Sequence, residues 1–170
     1  MRKQKNTKVL KAISYKLKAS KGLGMVEIIV VVAVILVAFT AILQLFKLQV
    51  QNERAKREEL QAYALLAEGM EAARVVRDDA WSNLSGLTLG ADYYPVISGG
   101  AWTLSNIDPG PIDGFTRWVV LSSVDRDGSD NIVASGTLDS GTLLITAYTE
   151  WQSKGVTKTR SLAIYLTDRL

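Results

Sequence analysis

The sequence predicts an α+β protein, in which a long N-terminal α-helix with a membrane half and a packed half precedes a C-terminal antiparallel β-sheet. Two observations predict this order. Strong helix formers run from Lys47 to Asp79 without a proline, whereas from Phe115 onwards apolar residues recur at every second position. A helix and a sheet that each carry one apolar face bury those faces against each other, so we expect the sheet to lie on the helix.

The first element is a basic leader over residues 1–22. It holds eight Lys or Arg residues and no acidic residue. Because Lys and Arg beside a membrane helix tend to remain cytoplasmic, this leader predicts a cytoplasmic N-terminus and an outside C-terminal part. From residue 23 onwards the chain has 12 Lys and Arg against 17 Asp and Glu, a net charge of −5. The basic leader therefore accounts for the overall positive charge, and we predict no nucleic-acid partner.

The second element is an apolar segment over residues 23–46, whose one charged residue is Glu27. Roughly 20 apolar residues in a helix span the hydrocarbon core of a bilayer, so we predict a single transmembrane helix. The segment is too long for the apolar part of a secretory signal peptide. A charge inside such a helix costs about 2.5–3.5 kcal/mol on insertion scales, which indicates that Glu27 has a partner or a function.

The helix is predicted to continue outside the membrane over residues 47–80. A stripe of apolar residues at helical spacing lies in its second half and consists of Tyr63, Leu66, Met70 and Ala73. We expect this stripe to pack against the globular part of the chain.

Residues 81–170 are predicted to form that globular part. Its first portion, 82–114, contains all three prolines and six glycines, so we expect loops and short strands there. We expect its aromatic residues, which are Trp102, Tyr93 and Tyr94 together with the preceding Trp81, to fill the helix–sheet interface. About four strands follow, at 115–122, 131–134, 142–151 and 156–167, and residues 152–155 are predicted to form a hairpin turn between the last two.

The composition excludes several kinds of site. The chain has no Cys and no His, so disulfides, Cys- or His-ligated metals and nucleophiles activated by His are absent. We predict no catalytic residues, no cofactor and no assigned metal ligand. Asp125, Asp127 and Asp130 leave two interpretations open, either a hairpin turn or a calcium-binding loop. Arg117, Lys154, Lys158 and Arg160 are either solvated strand ends or a small basic patch.

The residues Lys21-Gly22-Leu23-Gly24-Met25-Val26-Glu27 resemble the cleavage and methylation site of type IV prepilins and pseudopilins. In that family a membrane peptidase cuts after the glycine and methylates the new N-terminus, and a glutamate occupies the fifth mature position. The resemblance implies cleavage between Gly22 and Leu23, N-methylation of Leu23 and a filament-assembly role for Glu27. It is close over about residues 16–50.

The same resemblance implies that Glu27 pairs with the N-terminal amine of the next subunit. The alternative is that its carboxylate reaches into the lipid headgroups at the cytoplasmic face. Three positions depart from the family pattern, because Leu23 replaces the usual phenylalanine, Gly24 replaces a hydroxyl residue and Gln44 replaces the type IVa proline. Because the proline is absent, the locally melted filament helices of that class are not expected here.

A pilin-like fold and a set of partners follow from the resemblance. Residues 66–78 with Trp81 are similar to a helix end of minor pilins of the pilus-modification class. The implied partners are a prepilin peptidase, other pilin subunits, an inner-membrane assembly platform and membrane lipid. The implied location is the cytoplasmic membrane, as a single-pass protein, and then a surface filament serving adhesion, motility or DNA uptake. The alternatives are a type II secretion pseudopilin and a non-polymerising, membrane-anchored extracellular binding domain or enzyme.

Overall fold

The protein is described here by a computed structural model, which describes residues 24–168. The first helix, α1, spans Met25–Asp79 and confirms the predicted long helix. The chain divides into two compact units between Val50 and Gln51. The predicted cleavage and methylation residues, Gly22 and Leu23, lie outside the described residues.

The first unit consists, in its described part, of the helical residues up to Val50. Every side chain from Gly24 to Val50 is exposed, and the large apolar ones have between 49% and 79% of their surface accessible. By length and composition this part of α1 is able to cross a membrane. The described part of this unit therefore provides an apolar surface with no internal partner.

The second unit begins with the remaining part of α1. One face of this part is buried, and it consists of Ala62, Leu65, Leu66, Gly69, Met70, Ala72, Ala73 and Val76. Three of the four predicted stripe residues belong to this face, but Tyr63 does not, because 51% of its surface is exposed. The predicted helical spacing of the stripe was correct. The stripe also includes small residues such as Ala62 and Gly69, which the sequence prediction omitted because it considered mainly large apolar residues.

After α1 come the short helix α2 (Ser82–Ser85) and six strands. The strands are β1 (Asp92–Ser98), β2 (Ala101–Ser105), β3 (Phe115–Arg126), β4 (Ile132–Val133), β5 (Thr137–Ser153) and β6 (Val156–Thr167). They form one antiparallel sheet in the order β2-β1-β3-β5-β6, with β4 paired to β3. The α+β class predicted from the sequence is thus confirmed, with six strands in place of about four.

The two additional strands, β1 and β2, form a hairpin inside the segment 82–114, which was predicted to consist of loops and short strands. The hairpin turn is Gly99-Gly100, and both residues have positive φ, at 62° and 85°. Pro95 lies within β1, a position that argued against a strand because proline has no N–H to donate. This proline is accommodated because β1 pairs with β3 only at Asp92 and Tyr93, so the ladder has ended before it.

Strands β3, β5 and β6 form the continuous part of the sheet. Burial alternates along β3 from Phe115 to Leu121, which confirms the predicted period of two. The register between β3 and β5 shifts between Ser123 and Val124, and this irregularity allows β5 to begin at Thr137 instead of the predicted 142. Strand β6 has the predicted bounds, and the turn before it is Lys154-Gly155.

The core of the second unit lies between α1 and the inner face of the sheet. Its main cluster includes Leu66, Met70, Val119, Leu121 and Ile145. Tyr93 belongs to this cluster and Trp81 and Trp102 pack against it, as predicted for three of the four aromatic residues. A smaller cluster joins Ala62 and Leu65 of α1 to Phe115 and Trp151 of the sheet.

Candidate functional site

Glu27 lies in the first turn of α1, on the exposed apolar segment. Its backbone N–H donates to the carbonyl of Gly24 at 2.8 Å, which forms part of the start of the helix. Within residues 24–168, its carboxylate has no ion-pair or side-chain hydrogen-bond partner. A carboxylate near a helix N-terminus is stabilised by the helix dipole by about 0.3–1 kcal/mol, which is much less than the cost of placing it in an apolar environment.

The two arginines for which a basic patch and solvated strand ends were left open, Arg117 and Arg160, instead form ion pairs between helix and sheet. Arg160 of β6 donates through Nε and Nη2 to Oε1 of Glu59 at 3.0 and 2.7 Å. The Glu59 carboxylate raises the pKa of the Arg160 guanidinium above its usual value. Lys154 instead occupies the β5–β6 turn with a φ of 53°.

Arg117 of β3 is the other of these arginines, and only 4% of its side chain is exposed, so it is neither a solvated strand end nor part of a surface patch. Its Nη1 lies 2.8 Å from Oε2 of Glu68 on α1, and its Nη2 donates to the carbonyl of Pro95 at 3.1 Å. The ring of Trp102 lies against the guanidinium, with 5.7 Å between its centroid and Cζ. The Nη1 contact has the distance of an ion pair without hydrogen-bond alignment, and Nε has no acceptor in the described part of the chain.

The segment containing Asp125, Asp127 and Asp130 forms the turn between β3 and β4. The Asp127 carboxylate accepts the backbone N–H groups of Ser129 and Asn131 at 2.8 and 2.9 Å. Hydrogen bonds from Asn131, first from its side chain, lower the pKa of Asp127 below its usual value. Asp125 accepts the N–H of Gly136 at 3.3 Å. The geometry supports the hairpin-turn interpretation, since the carboxylates are directed to separate partners.

A second polar cluster fixes the far end of the β3–β5 pair. Arg126 donates through Nε to Oδ2 of Asp139 at 2.6 Å and through Nη1 to the carbonyl of Asp130 at 2.8 Å. The hydrogen bond from Arg126, followed by those from Thr142 and Gly141, lowers the pKa of Asp139 to about 2. This arrangement holds the irregular part of the sheet where the register shifts. No pattern in the sequence had linked Arg126 to Asp139, which lies 13 positions later in the chain.

Among residues 24–168 no group of three or more Asp or Glu side chains is placed to hold a metal ion. Comparison with protein-family models, with curated proteins and with solved structures finds no match to this chain. The features available for a functional conclusion are therefore the exposed apolar segment with its single carboxylate and the surface of the sheet domain. The sequence had identified the first of these from its composition and spacing.

Proposed function

We propose that this chain is a minor pilin or pilin-like structural subunit that assembles into a type IV pilus-like surface filament. The observation that carries the proposal is Glu27, which is the one charge on an exposed apolar helical segment and has no partner within the described residues. The prepilin-like residues that precede Glu27 would be the recognition site for processing. In this proposal a prepilin peptidase cleaves between Gly22 and Leu23 and methylates Leu23.

The apolar part of α1 needs a covering that the described chain does not provide. Burial of apolar surface stabilises by about 25 cal/mol per Å², so lipid or the helices of other subunits are favourable surroundings for this segment. Before assembly the segment is held in the membrane bilayer. During assembly it leaves the lipid through an assembly platform in the inner membrane and packs among equivalent helices.

Packing of these helices would remove the Glu27 carboxylate from water and headgroups. A buried charge is costly unless an opposite charge compensates it. Cleavage after Gly22 creates such a charge, because the methylated amine of Leu23 is a cation in every subunit. The pairing of Glu27 with this amine of a neighbouring subunit would thus make assembly depend on prior cleavage.

The second unit supports a structural role more than a catalytic one. Its polar clusters, at Arg117 and at Arg126, connect helix to sheet and strand to strand. Two alternatives share the anchor and differ in assembly. A type II secretion pseudopilin would be processed in the same way and form a short fibre, whereas an anchored extracellular binding domain or enzyme would need neither processing nor assembly.

Intact mass spectrometry tests the proposal. The chain is recovered from membranes and from sheared surface material of cells with and without the prepilin peptidase. We expect a mass that begins at methylated Leu23, only when the peptidase is present, and recovery of that form in the sheared fraction. A chain that keeps residues 1–22 in cells with active peptidase would contradict the proposal, and processed chain confined to membranes would favour the pseudopilin.

A further inference from the structure

A groove runs along the free edge of the sheet, between strand β2 and the end of helix α1. Its volume is about 400 Å³. The residues that line it are Val75, Val76, Asp79, Asn83, Ala101, Trp102, Thr103 and Leu104. Four of these are consecutive in β2, and since side chains of a strand alternate between faces, a groove lined by all four follows the edge of the strand and not one of its faces.

The backbone of β2 has unused hydrogen-bonding groups at this edge. In a hairpin with a two-residue turn, the residues next to the turn form a hydrogen-bonded pair, here Ser98 and Ala101. Pairs along an antiparallel ladder alternate, so Trp102 and Leu104 direct their N–H and C=O groups away from β1. Strand β2 is the last of the sheet on this side, and within the described residues no other strand pairs with it.

The opposite wall of the groove is the last part of α1. Val75 is partly exposed and apolar, and Asp79 follows it by one helical turn. One oxygen of the Asp79 carboxylate accepts a hydrogen bond from Asn83 at 2.8 Å, which positions the group and leaves its charge uncompensated by that neutral partner. This wall therefore provides an apolar contact at Val75 and, one helical turn further on, a negatively charged contact at Asp79.

We propose that this groove binds an extended peptide segment that adds a strand to β2. The segment has an apolar residue and a basic residue two positions apart. Four residues of helix rise by about 6 Å and two residues of strand by about 6.6 Å, so such a pair matches the spacing of Val75 and Asp79. Main-chain hydrogen bonds to a strand edge supply affinity in this mode of recognition, and alternate side chains supply specificity.

The proposal goes beyond the proposed function and does not rest on it. The groove lies entirely within the second unit, and its chemistry requires neither cleavage nor a filament. The negative charge of Asp79 selects against acidic segments. The free edge selects against helical ones.

The test uses the full chain in lipid nanodiscs and two peptides that carry fluorescein on the N-terminal amine, Thr-Val-Thr-Lys-Thr-amide and its reversed sequence, which cover both strand directions. Fluorescence anisotropy measures binding. We expect at least one peptide to bind, with affinity reduced by about tenfold or more when its Lys is replaced by Glu. We expect a similar loss when the amides of the peptide that face β2 are N-methylated, since this removes the edge hydrogen bonds.

Two protein variants complete the test. Val75→Arg fills the wall of the groove and should reduce binding by about tenfold or more. Leu60→Arg makes the same change at an exposed residue of the same helix outside the groove and should leave binding unchanged. Equal thermal midpoints of the two variants exclude misfolding as the cause.

Three results of the binding experiments would overturn the proposal. These are no binding of either peptide up to about 1 mM, equal binding of the N-methylated peptide, and equal effects of Val75→Arg and Leu60→Arg. Self-association that Val75→Arg abolishes, without peptide binding, would assign the groove to a second copy of the chain and likewise overturn it.

Discussion

Glu68 of α1 and Arg117 of β3 form an ion pair across the interface between helix and sheet, with 2.8 Å between Oε2 and Nη1. The two partners differ in their surroundings, because 4% of the arginine side chain is exposed and 45% of the glutamate side chain. Removal of the glutamate therefore leaves a buried cation with one neutral acceptor, the carbonyl of Pro95. This asymmetry predicts which of the surface carboxylates on α1 matter for stability.

We expect Glu68→Ala to lower the free energy of unfolding by about 1–3 kcal/mol. This loss is smaller than that for breaking a fully buried ion pair, because Glu68 itself is partly exposed to solvent. The matched control is Glu71→Ala, one turn further along, which breaks an exposed pair with Arg74 and should cost less than about 0.5 kcal/mol. Chemical denaturation of the full chain in detergent measures both. Equal losses in the two variants would contradict the importance of the buried arginine.

The Arg126–Asp139 pair predicts how stability depends on pH. The pKa of Asp139 is about 2 in the folded protein, below its usual value of 3.8. Because the folded pKa is the lower one, the stabilisation is complete above the unfolded pKa and is lost as the pH falls from about 4 towards 2. Thermal midpoints across this range should fall for the wild type and fall less steeply for Asp139→Asn.

The control for this pH experiment is Asp92→Asn, which removes an exposed carboxylate at the start of β1. Thermal midpoints of the wild type, this control and Asp139→Asn are compared at the same pH values between 4 and 2. If Asp139→Asn follows the wild type, the carboxylate of Asp139 does not carry the acid sensitivity.

Substitution of two turn glycines, Gly155 and Gly128, measures the stability cost of backbone conformation separately from the effect of packing. Gly155, in the β5–β6 turn, has a φ of 76°, whereas Gly128 has no positive φ, and an added Cβ would meet no atom within 4 Å at either position. Gly155→Ala should therefore lower stability by about 1–2 kcal/mol, because a residue with Cβ is strained in the left-handed region. Gly128→Ala should change it little. A comparison of their unfolding midpoints decides, and equal effects would refute the conformational explanation.

Gly69 is buried in the helix–sheet interface, yet its lack of a side chain is not required for packing. A Cβ there would lie 3.5 Å from Cδ of Arg117 and 3.6 Å from Cβ of Ala147, which are ordinary contact distances. Since glycine inside a helix is less favourable than alanine by about 0.8–1 kcal/mol, Gly69→Ala should stabilise the protein by up to that amount. The same denaturation experiment measures it, and a clear loss of stability would show that the interface is closer than these distances indicate.

Glu27 provides the test of filament assembly. Glu27→Gln keeps the shape of the side chain and removes its charge, so under the proposed pairing it should reduce the amount of processed chain in sheared surface material by about tenfold. Membrane insertion should be retained, because the loss of a charge makes insertion easier. Quantitative immunoblotting of membrane and sheared fractions measures both. Undiminished chain in the sheared fraction would contradict the pairing.

The regular parts of this fold were predictable because their patterns are local. Apolar periodicity identified α1, the alternation in β3 and the bounds of β6. Short strands were predicted over 82–114, but the β1–β2 hairpin itself was not, because Pro95 and the adjacent glycines indicate loops unless the neighbouring ladder is known to end. The role of Arg117 was missed for a related reason. Its burial depends on Glu68, which lies 49 residues earlier, and on Trp102, and no local pattern connects these three.

The pair formed by Arg160 and Glu59 has a consequence for the order of events during synthesis. These residues are 101 positions apart, and β6 is the last strand of the chain. Contacts of such long sequence separation form late, because a long loop must close first. The apolar face of α1 is therefore not fully buried until the final strands have been synthesised. During that interval it is exposed to other apolar segments, and the nascent domain is then most dependent on chaperones.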